Sequence, residues 1–278
     1  MRNLIRKTVK NIIVSLPYSW QAFLSNVRTS IKLLFDKGIS PGAVNQLLIH
    51  KVTVICLIYK STGYADFVYK SFLKHTKDAE FLFVANDATE KVKEYLKSNN
   101  LPHVIFDNED PTEHYLKRVY RAWNYGGMNA KGDVIVFVNS DMAFSDNWLP
   151  NLLKHLDTRS IVCSRLVESG KLLSGRYAIM KNFGGTYGEF DEKAFHIFAG
   201  KTAKDELRSG GLYMPCAMYK EMFVKSGGYP IGNRKEVDGS EISGDFILFY
   251  EKLAPMGVGH YTSFDSIVYH VQEGEMDE

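Results

Sequence analysis

Three polar residues directly follow an apolar segment near the middle of the chain. The segment DVIVFVN, residues 133–139, is typical of a strand that is buried on both faces of a sheet, and it ends in Asn139, which Ser140 and Asp141 follow. Ligands of open α/β sheets bind beyond the carboxyl ends of the strands. A single carboxylate there suits a divalent cation, because Mg²⁺ is commonly bound by one or two protein carboxylates together with substrate phosphates. The pattern therefore indicates a phosphorylated ligand, and a nucleotide is the expected class.

Two other apolar segments also end in polar residues. Asp87 follows residues 80–86, and Tyr59 ends residues 52–59. If these strands are neighbours in one parallel sheet, their ends converge on the same crevice as Asp141. Each residue also has a purely structural interpretation, since Asp is common in turns and at the starts of helices. Their joint placement favours a binding site.

The rest of the pattern indicates how these residues are positioned. Apolar, β-branched segments predict strands, and segments with helical spacing alternate with them, so the predicted fold class is α/β with a mostly parallel sheet. The predicted strands are residues 52–59, 80–86, 103–106, 133–139 and 160–163, and the predicted helices are residues 64–75, 89–97, 113–123 and 147–155.

The second half of the chain has a weaker pattern. Residues 165–211 show no clear period, and a loop of that length inside a domain is usually functional. Beyond it, we expect a helix at residues 219–226, another after Gly244, and a strand at residues 266–270.

Composition excludes several classes of protein. The chain has 278 residues, of which 45% are hydrophobic and 24% charged, and a formal net charge of +2, so we expect a globular protein that has no nucleic-acid partner. Only three cysteines occur, without a CxxC pair, which argues against a disulfide framework or a cysteine zinc site. A dinucleotide-binding GxGxxG, a P-loop and a GxSxG elbow are all missing from the sequence.

Residues 1–50 differ from the rest in charge. They contain seven Lys or Arg and one acid, Asp36, and their apolar residues recur at helical spacing. Such a basic amphipathic segment either contacts a membrane surface, through residues 1–35, or packs as a helical hairpin on protein. No run of 18 apolar residues occurs, so no spanning helix is predicted. We expect a cytoplasmic protein, peripheral at the membrane surface if the first interpretation is right.

Five segments together resemble one enzyme family. NYGGMNAKGDVIVFVNSDM is similar to the core signature of family-two glycosyltransferases of the GT-A fold, in which a conserved pattern leads into a strand that ends in a DxD motif. VTVICLIYKSTGYADFVYKSF and FVANDATEKV resemble the family's first two strand regions. GGLYMPCAMYKEMFVKSGGYP and SGDFILFYEKLAPMG are similar to its acceptor-side segment and its late acidic motif. The resemblance covers residues 51–272, with the five segments in the family's order.

This resemblance implies a GT-A-type, Rossmann-like fold with a mostly parallel central sheet flanked by helices. The domain organisation that follows is an N-terminal helical extension at residues 1–50 and a glycosyltransferase domain at residues 51–278. Within that domain we expect a nucleotide-binding half at residues 51–163 and an acceptor-side half at residues 164–278.

The resemblance also implies roles for individual residues. Asp245, in the late acidic motif, would be the general base, and Asp141 and a late histidine, His270, would bind Mn²⁺ or Mg²⁺. The expected donor-binding residues are Tyr59, Asp87, Asn124, Asn139, Ser140 and Asp141. Asn139 departs from the family, which has an acidic residue there. An amide can still bond the ribose or a metal-bound water.

The expected reaction is transfer of a hexose or pentose from a nucleotide-diphosphate donor, UDP by preference, to a hydroxyl of a glycan or lipid-linked glycan. Inversion at the anomeric carbon and a role in polysaccharide biosynthesis are part of this expectation. Two alternatives stay open. Asn139 favours a catalytically degenerate module that binds a sugar or nucleotide. A sugar-nucleotide nucleotidylyltransferase would need a basic, Gly-rich loop after the first strand, and residues 59–67 (YKSTGYADF) fit that poorly.

Overall fold

The computed structural model describes residues 51–110, 112–172 and 175–277. The predictions made for residues 1–50, a helical extension with a membrane or packing role, lie outside this part of the chain. Among the described residues, no helix combines the length and the apolar character that crossing a bilayer requires.

Ten of the described strands form one central sheet, and two form a separate short ribbon. The central strands are β1 (Val52–Ile58), β2 (Ala79–Asn86), β3 (His103–Phe106), β4 (Val134–Val138), β5 (Met142–Phe144), β6 (Ser160–Glu168), β7 (Ile179–Met180), β8 (Leu207–Ser209), β9 (Cys216–Tyr219) and β12 (Gly259–His270). The ribbon pairs β10 (Arg234–Lys235) with β11 (Glu241–Ile242).

The central sheet is mostly parallel, as the sequence predicts. Its order is β3-β2-β1-β4-β9-β6-β12-β5, with β7 beside β6 and β8 beside β12. β5, β8 and β9 run antiparallel to their neighbours. Cys56 in β1 lies opposite both Phe83 in β2 and Val138 in β4, so these strands end close together. β1, β2, β4, β6 and β12 thus present their carboxyl ends at the same edge of the sheet.

Helices alternate with the strands in the first half of the chain. They are α1 (Thr62–His75), α2 (Glu90–Ser98), α3 (Tyr115–Asn129), α4 (Trp148–Leu153), α5 (Glu192–Thr202), α6 (Lys220–Lys225) and α7 (Gly244–Phe246). A π-helix, Ile247–Leu253, and a 3-10 helix, Ala254–Met256, continue α7, and a last 3-10 helix spans Gly274–Asp277. Side-chain hydroxyls cap the N-termini of α1 and α2. Ser61 accepts a hydrogen bond from the Tyr64 amide, and Thr89 accepts one from the Val92 amide.

Two expectations for the second half of the chain are wrong. The segment 165–211, expected as a loop, contains the end of β6, the short strands β7 and β8, and the eleven-residue helix α5. The last strand begins at Gly259 rather than at residue 266. Polar residues obscured it, since Thr262, Ser263 and Ser266 are buried although their side chains are hydrophilic. A shift in the pairing of β12 with β6 between Ser263 and Ile267 also breaks the period.

The hydrophobic core lies on both faces of the sheet. Continuous burial of β4 explains its uninterrupted apolar sequence. A separate cluster centres on Tyr269 of β12, whose ring contacts the rings of Phe183, Phe190 and Phe195. Through Phe195 this cluster packs α5 against the end of the sheet. All three cysteines, Cys56, Cys163 and Cys216, are buried and unbridged.

Candidate active site at the carboxyl ends of the strands

Most of the predicted site residues lie at one edge of the central sheet. Tyr59 follows β1, Asp87 follows β2, the segment 139–141 follows β4, and His270 ends β12. The parallel register of these strands brings their ends to the same edge. Two predicted residues lie elsewhere, since Asn124 is within α3 and Asp245 is at the start of α7.

Asp141 and His270 are in direct contact at this edge. The Nε2 of His270 lies 3.3 Å from the Oδ1 of Asp141. The Asp141 carboxylate also accepts a hydrogen bond from the Gly274 amide at 3.2 Å, and its backbone oxygen accepts one from the Val271 amide. Asp141 is only 6% exposed. The two residues that the family resemblance assigned to a metal are therefore adjacent, with Asp141 buried and His270 partly buried.

The ring of His270 contacts a second carboxylate that the sequence analysis missed. Its Nδ1 lies 3.2 Å from the Oε1 of Glu168, at the end of β6, and the Oε2 of Glu168 is buried without a hydrogen-bond partner among the described residues. Burial alone would lower the pKa of His270, but Asp141 and Glu168 outweigh it and raise that pKa to about 10. Burial would raise the pKa of Asp141, and the charge of His270 instead holds it below its ordinary value.

The geometry of this pair fits a divalent metal. Adjacent ligands of an octahedral Mg²⁺ with bonds of about 2.1 Å lie roughly 3 Å apart, and the Asp141 and His270 atoms are 3.3 Å apart. The orphaned Oε2 of Glu168 is a further acceptor beside the ring. Asp141 and His270 would hold the ion, with Glu168 fixing the ring through Nδ1, as is usual for metal-bound histidines.

A second acid missed by the sequence analysis lies at the end of β1. The Oε2 of Glu275 accepts hydrogen bonds from the amides of Tyr59 and Lys60, each at 3.1 Å. Burial raises the pKa of Glu275, and the nearby charge of Asp141 adds to this. Tyr59 is 46% exposed, so it is accessible to a ligand at this edge.

Asp87 is fixed by three hydrogen bonds. Its Oδ1 accepts from the backbone amide of Asn108 at 2.7 Å, and its Oδ2 accepts from the Asn108 side chain at 2.9 Å and from Arg118 at 2.8 Å. Burial would raise the pKa of Asp87, but these bonds hold it below its ordinary value. Thr89, rather than Asp87, caps α2. The Asp87 carboxylate is thus ionised and held in one orientation, and it does not cap α2.

The other residues after β4 differ in exposure. Ser140 is buried, while Asn139 is partly exposed and donates its backbone N–H to the sulfur of Met142 at 3.4 Å. Their donor-binding roles stay predictions.

Asn124 is occupied by backbone contacts. Its Oδ1 accepts from the Tyr229 amide at 2.7 Å, and its Nδ2 donates to the Tyr229 carbonyl at 2.9 Å. A side chain at Gly228 would collide with this amide, and Gly228 has a φ of 66°. Asn124 therefore joins α3 to the loop after α6. Its donor-binding role stays a prediction, and the amide would have to leave Tyr229 to fulfil it.

Asp245 lies at the start of α7 in apolar surroundings. Its Oδ2 accepts a hydrogen bond from the Tyr120 hydroxyl at 3.4 Å, while its Oδ1 is buried and has no partner among the described residues. Burial raises the pKa of Asp245 to about 6, and the Tyr120 bond opposes this. A carboxylate with a pKa near neutrality is suited to accept a proton from a substrate. The Tyr120 hydroxyl also accepts the Gly244 amide at 3.0 Å, which fixes the turn before Asp245.

Comparison with known proteins places this arrangement in context. A family model described as "Glycosyl transferase family 2" matches residues 53–227, more than half of the chain. No curated protein matches the sequence. Among solved structures, the chain is similar to GalNAc-T7 with UDP, GalNAc and Mn²⁺, with a TM-score of 0.53 at 18% identity over 80% of this chain and 44% of that one. It is also similar to residues 1–349 of TarS from S. aureus, with a TM-score of 0.50 at 12% identity over 79% and 60% of the two chains. The chain thus spans less than two thirds of either relative.

Proposed function

Because this chain belongs to glycosyl transferase family 2 and has the GT-A fold, we propose that it transfers a sugar from a UDP-linked donor to a hydroxyl of a glycan or lipid-linked glycan, with inversion. The observation that carries the proposal is the contact of Asp141 with His270 at the carboxyl ends of the strands. A buried carboxylate beside an imidazole is suited to a metal that accompanies a diphosphate.

The donor would lie across the ends of β1, β2 and β4. Asp87, oriented by Asn108 and Arg118, would accept a hydrogen bond from the nucleotide base, and the exposed face of Tyr59 would stack on the base. Asn139 and Ser140 would contact the ribose, and Asp141 and His270 would hold Mn²⁺ or Mg²⁺. The ion would stabilise the charge that develops on the leaving diphosphate.

Asp245 would take the proton of the acceptor. As the acceptor oxygen bonds to the anomeric carbon, the bond from that carbon to the diphosphate breaks, and the hydroxyl proton moves to the Asp245 carboxylate. The pKa of about 6 keeps this carboxylate mostly ionised at neutral pH and still basic enough to accept the proton. Tyr120 positions it through a hydrogen bond to Oδ2.

Asn139 supports one other candidate function. It stands where the family has an acidic residue, and a weaker donor site would suit a module that binds a sugar nucleotide without transferring the sugar. The two candidates differ in what Asp245 does. Loss of transfer in Asp245→Asn with intact nucleotide binding supports the enzyme, whereas a wild-type protein that binds nucleotide but transfers no sugar supports the module.

A thermal-shift screen tests the donor site. Wild type would be tested with UDP, GDP, dTDP and CDP, each with and without Mn²⁺, beside Asp141→Asn and the control Asp133→Asn at the opposite end of β4. A ligand at a hundredfold excess over its Kd stabilises by about 2.7 kcal/mol. We expect stabilisation by UDP with Mn²⁺ that is lost in Asp141→Asn and kept in Asp133→Asn. An equal response of both variants would reject the assignment of Asp141.

A further inference from the structure

Four side chains that take no part in the proposed reaction meet where three elements come together. His75 ends α1, Asp146 lies between β5 and α4, and Glu192 and His196 lie one turn apart in α5. One ligand atom from each of His75, Asp146 and His196 lies within 4.8 Å of the others. We call these four residues the histidine cluster.

Both imidazoles have the same orientation. The Nδ1 of His75 lies 2.8 Å from the Oδ1 of Asp146, and the Nδ1 of His196 lies 3.7 Å from the Oδ2 of the same carboxylate. On the opposite side, the two Nε2 atoms lie 3.3 Å and 3.8 Å from the Oε1 of Glu192. The ring centroids are 4.3 Å apart. Each ring therefore lies between the same two carboxylates.

Protons alone account for only part of these contacts. The Nδ1 and Nε2 of His75 lie within hydrogen-bond distance of Asp146 and Glu192, whereas both contacts of His196 are longer than 3.5 Å and too long for hydrogen bonds. A neutral imidazole has one N–H, so His75 would satisfy both carboxylates only as an imidazolium ion. One divalent cation on the Nδ1 side would instead bind the Nδ1 of both rings and leave an N–H on each Nε2.

We propose that His75, Asp146 and His196 bind a zinc ion. Tetrahedral zinc with bonds of about 2.0–2.1 Å to nitrogen and oxygen places its ligands roughly 3.4 Å apart. The Nδ1 of His75 lies 2.8 Å from one oxygen of Asp146, the Nδ1 of His196 lies 3.7 Å from the other, and one ligand atom from each residue lies within 4.8 Å of the others. Asp146 is 75% exposed, so water completes the coordination from the solvent side.

Glu192 supplies the support that metal-bound histidines usually have. Its Oε1 accepts the Nε2–H of His75 at 3.3 Å, which sets the tautomer that exposes Nδ1 to the metal, and the Nε2 of His196 lies 3.8 Å from the same oxygen. Lys74 fixes Glu192 through a contact of 2.7 Å to Oε2. The side chain of His75 is only 5% exposed, so the protein around it holds its ring in place before a metal binds.

This site is separate from the donor site. α1 runs from Ser61 beside β1 to His75, and β5 runs from Met142, next to Asp141, toward Asp146. The fourteen-residue helix α1 begins just after β1 and extends roughly 21 Å at about 1.5 Å per residue, which carries His75 away from the donor edge of the sheet. Zinc at the histidine cluster would join α5 to α1 and to the loop after β5, as a structural crosslink.

Metal content tests the proposal with complementary variants. Purified wild type, Asp146→Asn, His196→Ala and Asp141→Asn would be equilibrated with zinc alone, dialysed and analysed for bound zinc. We expect a zinc ion that is still bound in Asp141→Asn and is lost in Asp146→Asn and His196→Ala. Glu192→Gln should weaken zinc binding about 10–100-fold, the usual effect of removing a partner of a metal-bound histidine.

A matched control is His155→Ala. His155 lies 3.9 Å from Asp205, so it is another histidine beside a carboxylate, but among the described residues it belongs to no group of three metal-ligating side chains. It should keep the zinc. Thermal unfolding without metal checks the fold of each variant, and the exposed Asp146 is the change least able to disturb it. Absence of zinc from wild type, equal zinc in Asp146→Asn, or loss of zinc only in Asp141→Asn would overturn the proposal.

Discussion

The Nε2 of His270 lies 3.3 Å from the Oδ1 of Asp141, and the Nδ1 of the same ring lies 3.2 Å from the Oε1 of Glu168. One imidazole thus bridges two buried carboxylates. With a pKa of about 10, His270 is positively charged at neutral pH and balances their charge. A metal entering this site would have to displace that proton.

His270→Gln should therefore reduce thermal stability in a manner that depends on pH. The pKa of His270 rises from 6.5 to about 10 on folding, so its contribution is complete below about pH 6.5 and is lost as pH rises toward 10. The pKa of Asp141 lies below its ordinary value, so the stabilisation from the contact with His270 is also lost in acid, as pH falls through that pKa. The Tm difference from wild type should shrink steadily on the alkaline side in a fluorimetric pH series.

Glu168→Gln provides the comparison for that series. Removing one of the two carboxylates lowers the pKa of His270. The stabilisation that His270 gives should therefore be lost at a lower pH than in wild type. A Tm difference between wild type and His270→Gln that does not change with pH would contradict a charged bridge.

Asp245→Asn should reduce the turnover number about 10²–10⁴-fold, the usual range for a general base. Nucleotide binding, measured by thermal shift, should persist. The control is Asp238→Asn, since Asp238 is exposed and bonds only to Ser240 within its own turn. Wild-type turnover should fall below about pH 6, where Asp245 becomes protonated. Transfer that survives Asp245→Asn would reject this residue as the base.

The same substitution should raise stability near neutral pH. The pKa of Asp245 is raised to about 6 in the folded chain, so the folded state binds that proton more tightly than the unfolded chain does. Wild type consequently loses stability as pH rises from about 3.8 through about 6, whereas asparagine does not ionise. The Tm of Asp245→Asn should exceed that of wild type near neutrality and approach it in acid. The opposite trend would show that the carboxylate is stabilised as an anion.

Asn124→Ala separates a structural role from donor binding. The change leaves both backbone groups of Tyr229 without their partner, and each unpaired group costs about 1–3 kcal/mol where it is buried. We expect a lower urea midpoint and unchanged UDP affinity. Asn129→Ala is the control, because Asn129 donates to the Tyr125 carbonyl at an exposed position of the same helix. Unchanged stability with weaker UDP binding would instead support the role implied by the family.

Asp87→Asn should weaken UDP binding roughly 10–100-fold, because a hydrogen bond to a charged group contributes about 1.5–3 kcal/mol. Arg118→Gln should have a smaller effect, since Asn108 still orients the carboxylate. Calorimetry with UDP and Mn²⁺ measures both. Lys117→Gln is the matched control, because Lys117 is next to Arg118 but pairs with Glu113. Equal UDP affinities in wild type and Asp87→Asn would show that the nucleotide base does not bind to Asp87.

The strands whose ends form the candidate donor site were predicted well from the sequence, because they are buried on both faces of the sheet. β1 and β4 consist almost entirely of buried apolar residues, so composition alone identified them. α5 was missed because it buries few residues, Phe195 and Ala199 among them, and these do not form a long periodic stripe. The prediction for β12 was too short because the first half of the strand buries the polar residues His260, Thr262 and Ser263 beside a single apolar one, Phe264.

The contact of Asp141 with His270 followed from the family resemblance, but the acids around it did not. Glu168 would have been found if β6 had been predicted to extend beyond Cys163, since its carboxylate lies at the end of that strand. Glu275 had no such signal. It reaches the amides of Tyr59 and Lys60 from the last 3-10 helix, more than 200 residues later in the chain, and no local pattern encodes such a contact.

β5 has a consequence for how the site tolerates change. Its three residues pair with β12 so that Met142 lies opposite His270 and Phe144 opposite Val268. Because side chains alternate between the faces of a sheet, this pairing can shift only in whole residues. A deletion or insertion within β5 would therefore move its pairing with β12 by a whole residue, and the chain that follows Asp141 could not adjust to it gradually.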